Sequence, residues 1–108
     1  MKKFMINICY GTKQGLSDGQ EIMQKYEAWS ANMGAQIVHA HKLKDGEGRK
    51  LTLKNDKVVD GPYTESKESI GGYYVVQAKD YNEACQLAKD CPTLLYQGGY
   101  VEVREVEF

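Results

Sequence analysis

Proline is scarce in this sequence, with two in 108 residues, and neither sign of charge dominates: 14 basic residues stand against 15 acidic ones. With 42% apolar and 27% charged residues, the composition is that of an ordinary globular domain, not a disordered tail or linker. The length fits one domain, residues 1–108, and leaves no room for a second. A chain of this size buries roughly two-thirds of its unfolded surface, so it requires no metal or disulfide staple. The most basic stretch, Lys42 to Lys57, carries six cations against three carboxylates and lies around turns, as a solvated hairpin would. A nucleic-acid partner would ask for a larger basic footprint, and none is expected.

Cysteine is also sparse. Cys9, Cys85 and Cys91 are odd in number and lack CxxC spacing, so all three are expected as small buried hydrophobes in a reducing compartment. Long hydrophobic runs are missing too. The apolar segment after Met1-Lys2-Lys3 is too short for a signal peptide, contains Asn7, and runs into Gly11-Thr12-Lys13-Gln14 instead of a cleavage site. No stretch approaches membrane-spanning length. A cytoplasmic protein with no membrane partner is expected. No redox-cofactor motif, phosphate loop or nucleophile elbow appears, so no cofactor is expected.

What is present is strong periodicity. Phe4, Ile6, Ile8 and Tyr10 alternate with Met5, Asn7 and Cys9, which predicts a first strand over Lys3 to Tyr10. Ser17 with Gln20 forms a capping-box pattern. Ile22, Tyr26, Trp29 and Met33 then line one helical face, and Gly34 follows as a left-handed stop. From Ala35 to Leu43 the period returns to two, with Ile37, His39, His41 and Leu43 on one face. Leu51 to Leu53 and Val58 to Val59 flank Asn55-Asp56 as a small hairpin. An irregular segment, Asp60 to Gly72, precedes a nearly continuous apolar strand, Tyr73 to Ala78. Asp80 and Glu83 cap a second helix whose buried stripe is Ala84, Leu87, Ala88 and Cys91, with Pro92 as its stop. A last strand spans Tyr100 to Val106.

This order is the split β-α-β pattern of an α+β, ferredoxin-like β-α-β-β-α-β fold with an inserted small hairpin. Both helices then pack on one face of an antiparallel sheet, because each right-handed crossover returns the chain to the same side. The opposite face, rich in Tyr and Val, is expected to be covered by a partner sheet.

The segments Asp60-Gly61-Pro62-Tyr63-Thr64-Glu65-Ser66-Lys67-Glu68, Gly71-Gly72-Tyr73-Tyr74 and Gly99-Tyr100-Val101-Glu102-Val103-Arg104 resemble the signature and closing strand of the DGPF branch of the YCII-related family. Tyr63 stands where the Phe that names the motif would be. The resemblance runs the whole chain in element order and implies a dimeric α+β barrel, two subunits pairing sheet against sheet. Shorter relatives are proposed to use a His on the first helix with a nearby Asp. Here Gln24, Lys25 and Tyr26 occupy the middle of that helix, so the pair is absent in that placement.

Gly61-Pro62 forces an extended turn that places Asp60 at a strand end. Asp60 there is a candidate base or orienting acid and Lys67 a candidate anion holder. The structural alternative has Asp60 capping the turn and Lys67 paired with a neighbouring Glu. His41 is a third catalytic candidate, as an acid/base in an interface pocket. Tyr26, Tyr63 and Glu65 are candidates for contacting a small molecule. His39 and His41, with Cα atoms roughly 6.6 Å apart on one strand face, could supply two imidazoles to a divalent ion, but without a recognisable third ligand no metal site is expected and two hydrogen-bonded polar residues are the alternative. Two functions follow: a homodimeric small-molecule-binding protein or enzyme of unassigned reaction, its pocket near the Asp60–Lys67 loop, or a non-catalytic regulatory or interaction module. For the second, some DGPF relatives are linked to extracytoplasmic-function sigma factors.

Overall fold

The computed structural model describes residues 1–11, 19–63 and 69–108. The elements run β1 (Lys2–Cys9), α1 (Gly19–Met33), β2 (Ile37–Lys42), β3 (Lys50–Lys54), β4 (Lys57–Gly61), β5 (Gly72–Ala78), α2 (Tyr81–Ala88) and β6 (Tyr100–Glu105). Four strands form an antiparallel sheet in the order β2-β5-β1-β6, while β3 and β4 form a second, two-stranded sheet. Ser17 lies outside the described residues, as do the side chain of Gln20 and the capping box they would form.

Alternation decides which side chains enter the core. Phe4, Ile6 and Ile8 of β1 are fully buried beside Val76 and Ala78 of β5, with Val101 and Val103 of β6 packed against them. Trp29 and Met33 of α1 and Ala84, Ala88 and Cys91 at α2 close the same core, so both helices lie on one sheet face. Gly34 takes φ +53 and ends α1 as its missing side chain allows. Asp80 caps α2 by accepting from the Glu83 N–H at 2.9 Å. The Glu83 carboxylate reaches back to the Lys79 N–H at 3.1 Å, one residue earlier than a capping box would place it.

Two expectations are corrected. Ile37 does not share a face with His39 and His41: a bulge between Ile37 and His39 pairs Ile37 with Val76 but His39 with Val75. The extra residue reverses the alternation, turning Ile37 to the helices and both histidines to the opposite face. Cys85 is exposed, whereas Cys9 and Cys91 are buried, because Cys85 falls outside the Ala84–Ala88 stripe of α2.

That opposite face is less apolar than its Tyr and Val content suggested. By register it carries Met5, Cys9, Tyr73, Val75 and Tyr100 among Lys3, Asn7, His39, His41, Gln77, Glu102 and Arg104. Tyr74 and Val76 went to the helix side. No helix among the described residues is long and apolar enough to cross a membrane.

A tyrosine and thiol cluster at the end of the first strand

Beyond Ile8, the helix side of the sheet changes from apolar to hydroxyl-rich. Tyr10 continues the inward face of β1. Its ring rests on the backbone of Gly71 and Gly72, where an added Cβ would collide with the ring or its hydroxyl. Tyr26 and Ser30 descend from α1, and Tyr74 rises from β5. Ser30 Oγ and Tyr74 Oη are 2.7 Å apart. Cys91 Sγ donates toward Tyr26 Oη at 3.9 Å, a long contact of the kind sulfur makes.

The segment after α2 supplies the floor. Pro92 opens a 3-10 turn, Pro92–Leu95, because its fixed φ suits a first helical position. Thr93 on that turn is fully buried. Its hydroxyl donates to the Cys9 carbonyl at 3.0 Å, and it also bonds Tyr26. A Cβ on Gly99 would overlap Thr93, so glycine there lets the chain pass. Trp29 walls the inner side, its ring centroid 4.5 Å from that of Tyr74 and 6.1 Å from that of Tyr26. Trp29 Nε1 donates to the Leu87 carbonyl at 2.8 Å, fixing its indole.

Two ammonium groups stand over the outer rings. Lys42 Nζ lies 5.6 Å from the Tyr10 ring centroid, and Lys25 Nζ lies 5.8 Å from that of Tyr96. Both are within cation–π range. Lys42 is also tied to Asp45 at 3.2 Å.

Tyr10, Tyr26 and Cys91 keep their protons at physiological pH. Burial pushes the Tyr10 phenol up to about 12, with the Asp45 carboxylate, Cys91 and Tyr74 adding to it. Tyr26 is pushed up further by burial, then by Cys91 and Tyr10. Burial also raises the Cys91 thiol to about 11, against the opposing hydrogen bonds from the Thr93 backbone and from Tyr26. A thiol held that high is a poor nucleophile. The group's chemistry is hydrogen bonding to a ligand oxygen from protonated hydroxyls, in a setting where such bonds are strong.

The residues singled out from sequence fall in different places. Tyr26 lies in this cluster. His41 is on the other sheet face, where Nδ1 meets Tyr73 Oη at 2.9 Å and the two rings are 5.5 Å apart. His39 shares that face. Among the described residues no group of three His, Cys, Asp or Glu side chains could hold a metal. Asp60 is on β4, ion-paired at 2.7 Å to Arg49 at the foot of β3. Tyr63 packs over Gly48, whose φ is +158. Lys67 and Glu65 lie outside the described residues. Thus Tyr63 and Asp60 stand at one hairpin base, His41 on the sheet face opposite the helices and Tyr26 in the cluster.

Sequence reasoning did not select Tyr10, Tyr74, Cys91 or Thr93. The available signal was Gly71-Gly72 beside an inward-facing Tyr10, a place where ring and backbone touch.

The YCII-related domain model matches residues 4–108. The chain belongs to the YCII-related family. In fold, this family member is similar to 5-chloro-2-hydroxyhydroquinone dehydrochlorinase from Burkholderia phenoliruptrix AC1100, solved in complex with 2,5-dihydroxybenzoquinone. The superposition covers 97% of this chain and 93% of that one, at 15% identity and a TM-score of 0.57. Identity at that level carries the fold, α+β with an antiparallel sheet and two helices. No curated protein matches the sequence significantly. Neither the family match nor the fold gives support to a sigma-factor association.

Proposed function

We propose that this chain is a homodimeric, cytoplasmic small-molecule-binding protein of the DGPF branch, with its ligand seated against the hydroxyls of Tyr10, Tyr26 and Tyr74. The observation that carries this reading is the convergence of three half-buried phenols, Ser30, Thr93 and the Cys91 thiol at one end of an otherwise apolar core. Hydroxyls are costly to bury unless hydrogen-bonded, and here Ser30, Tyr74 and Thr93 find their partners within the cluster or on the adjoining backbone, which leaves the group ordered and able to meet a ligand. A small planar molecule with carbonyl or phenolic oxygens suits them: the rings of Trp29 and the tyrosines take its faces, and the neutral O–H groups its oxygens. The quinone bound by the similarly folded dehydrochlorinase belongs to that class.

Titration with 2,5-dihydroxybenzoquinone, followed by Trp29 emission, tests the reading. Binding should quench Trp29, and Tyr26→Phe and Tyr10→Phe should each weaken affinity about tenfold, the loss of one hydrogen bond in a buried site. Absence of binding by this compound and by simple hydroquinones and catechols would overturn it.

A second reading keeps the pocket at the Asp60–Lys67 loop, with Asp60, His41 and Lys67 as acid–base and anion-holding groups and Tyr63 and Glu65 against the ligand. The Asp60–Arg49 pair beside Tyr63 favours it. The same titration separates the two, because Asp60→Asn weakens binding only under the second. Dimerisation is proposed through the sheet face bearing Met5, Tyr73 and Val75. Tyr73→Asp, at a partly exposed position on that face, should then split the dimer in sedimentation, and a monomeric wild type at micromolar concentration would refute it.

A further inference from the structure

The β3–β4 hairpin forms a two-stranded arm. Five residue pairs hold its register, from Lys50–Gly61 to Lys54–Lys57. Asn55 and Asp56 at its tip take φ 53 and 64, the left-handed pair of a two-residue turn that matches strand twist. Directly opposed residues share a face, so Leu51, Leu53, Val58 and Asp60 lie together. Three of these are apolar and strongly exposed: Leu51 66%, Leu53 70% and Val58 69%. Among the described residues the two strands pair with no other strand.

The whole chain is correspondingly extended. Its radius of gyration is 15.6 Å, with extents of 47 × 38 × 19 Å, against about 13 Å for a compact domain of this length. A lone two-stranded ribbon with an uncovered apolar face is marginal in water.

We infer that the arm grips a second copy of this chain, its Leu51–Leu53–Val58 face lying on the body of the partner. Charge supports the choice. Arg49, Lys50, Lys54 and Lys57 against Asp56 and Asp60 give the arm +2, and the whole chain carries −1, so the remainder carries −3. Arms therefore repel arms and are attracted to bodies. Exposure supports it as well. Leu51, Leu53 and Val58 stand together on one face with most of their surface in water, the kind of contiguous apolar patch that marks an interaction site. A stable interface takes about 800 Å² from each partner, so the arm cannot hold two copies alone. Under two-fold symmetry each copy both gives and receives an arm, and the sheet face with Met5, Tyr73 and Val75 supplies the remainder.

This inference rests on the dimer proposed above and is tested separately from it. The full chain and the variant Leu51→Ser/Leu53→Ser/Val58→Ser are compared by sedimentation equilibrium, with circular dichroism confirming that the variant keeps its fold. The dimer dissociation constant should rise about tenfold or more, as for loss of a central apolar contact. An equal mixture of 14N- and 15N-labelled wild-type protein is then treated with an amine cross-linker. Links from Lys50, Lys54 or Lys57 to body lysines such as Lys3, Lys25, Lys79 or Lys89 should include mixed-isotope pairs. A variant that dimerises as tightly as wild type overturns the arm and leaves the sheet-face dimer standing, whereas a monomeric wild type overturns both. Links confined to single-isotope pairs, or running only arm to arm, also overturn it.

Discussion

The ring of Tyr10 lies on the backbone of Gly71 so closely that even a methyl group there would run into the ring carbons. That contact joins the end of β1 to the entry of β5, and the Gly71 N–H donates to the Ile8 carbonyl at 2.8 Å across the same junction.

Gly71→Ala is expected to lower stability by roughly 1–3 kcal/mol, because an overpacked site must shift a ring or a strand. Gly34→Ala makes the control: nothing lies within 4 Å of a Cβ there, and φ is +53, so only the left-handed backbone cost of roughly 1–2 kcal/mol applies. Urea unfolding measures both losses. The change at Gly71 alone should also alter near-ultraviolet tyrosine dichroism, since only Gly71 seats a ring.

Stability should fall in alkali. The Cys91 thiol is raised from 9.0 to about 11 and the Tyr10 phenol from 10.0 to about 12. Above pH 9 the unfolded chain loses these protons while the folded chain keeps them, so unfolding gains with rising pH. The contribution is complete below pH 9 and lost by about pH 12. Urea midpoints across that range should decline, and less steeply in Cys91→Ala or Tyr10→Phe. An unchanged slope in both variants would show that neither group is responsible.

Asp80→Ala removes the acceptor for the Glu83 N–H at the start of α2 and should cost about 1 kcal/mol. Glu83→Ala frees only the more exposed Lys79 N–H and should cost less. The order of the two urea midpoints checks the assignment.

The Arg49–Asp60 pair is short, but its side chains are 80% and 43% exposed. Asp60→Asn should therefore change folding stability by less than about 1 kcal/mol, with the small difference shrinking in salt. A larger loss would mean that Asp60 holds the hairpin base in a way the ion pair does not account for.

The elements were legible because their signals are local. Ile22, Tyr26, Trp29 and Met33 repeat at helical spacing, Gly34 has the backbone freedom a left-handed stop needs, and Asn55-Asp56 tolerates the two positive φ values of a tight hairpin turn. The face of the histidines was not legible. Alternation on paper continues unbroken from Ile37 to His41, and only pairing with β5 reveals the residue that bulges out. The same holds for Cys85, whose exposure depends on how α2 is rotated against the sheet.

The sequence by itself determined the order of strands and helices, the apolar stripe of each and the motif of the family, since all are written in neighbours a few residues apart. Only the tertiary structure decided that Tyr10, Tyr26, Tyr74, Cys91 and Thr93 meet. Tyr26 and Cys91 are 65 positions apart, and Ser30 and Tyr74 are 44. It also decided that Asp60 faces Arg49 and that His41 faces Tyr73. Such contacts have no period to read: they arise when sheet order and helix packing carry distant segments to the same end of the core, where a single misplaced face would send each hydroxyl to water instead.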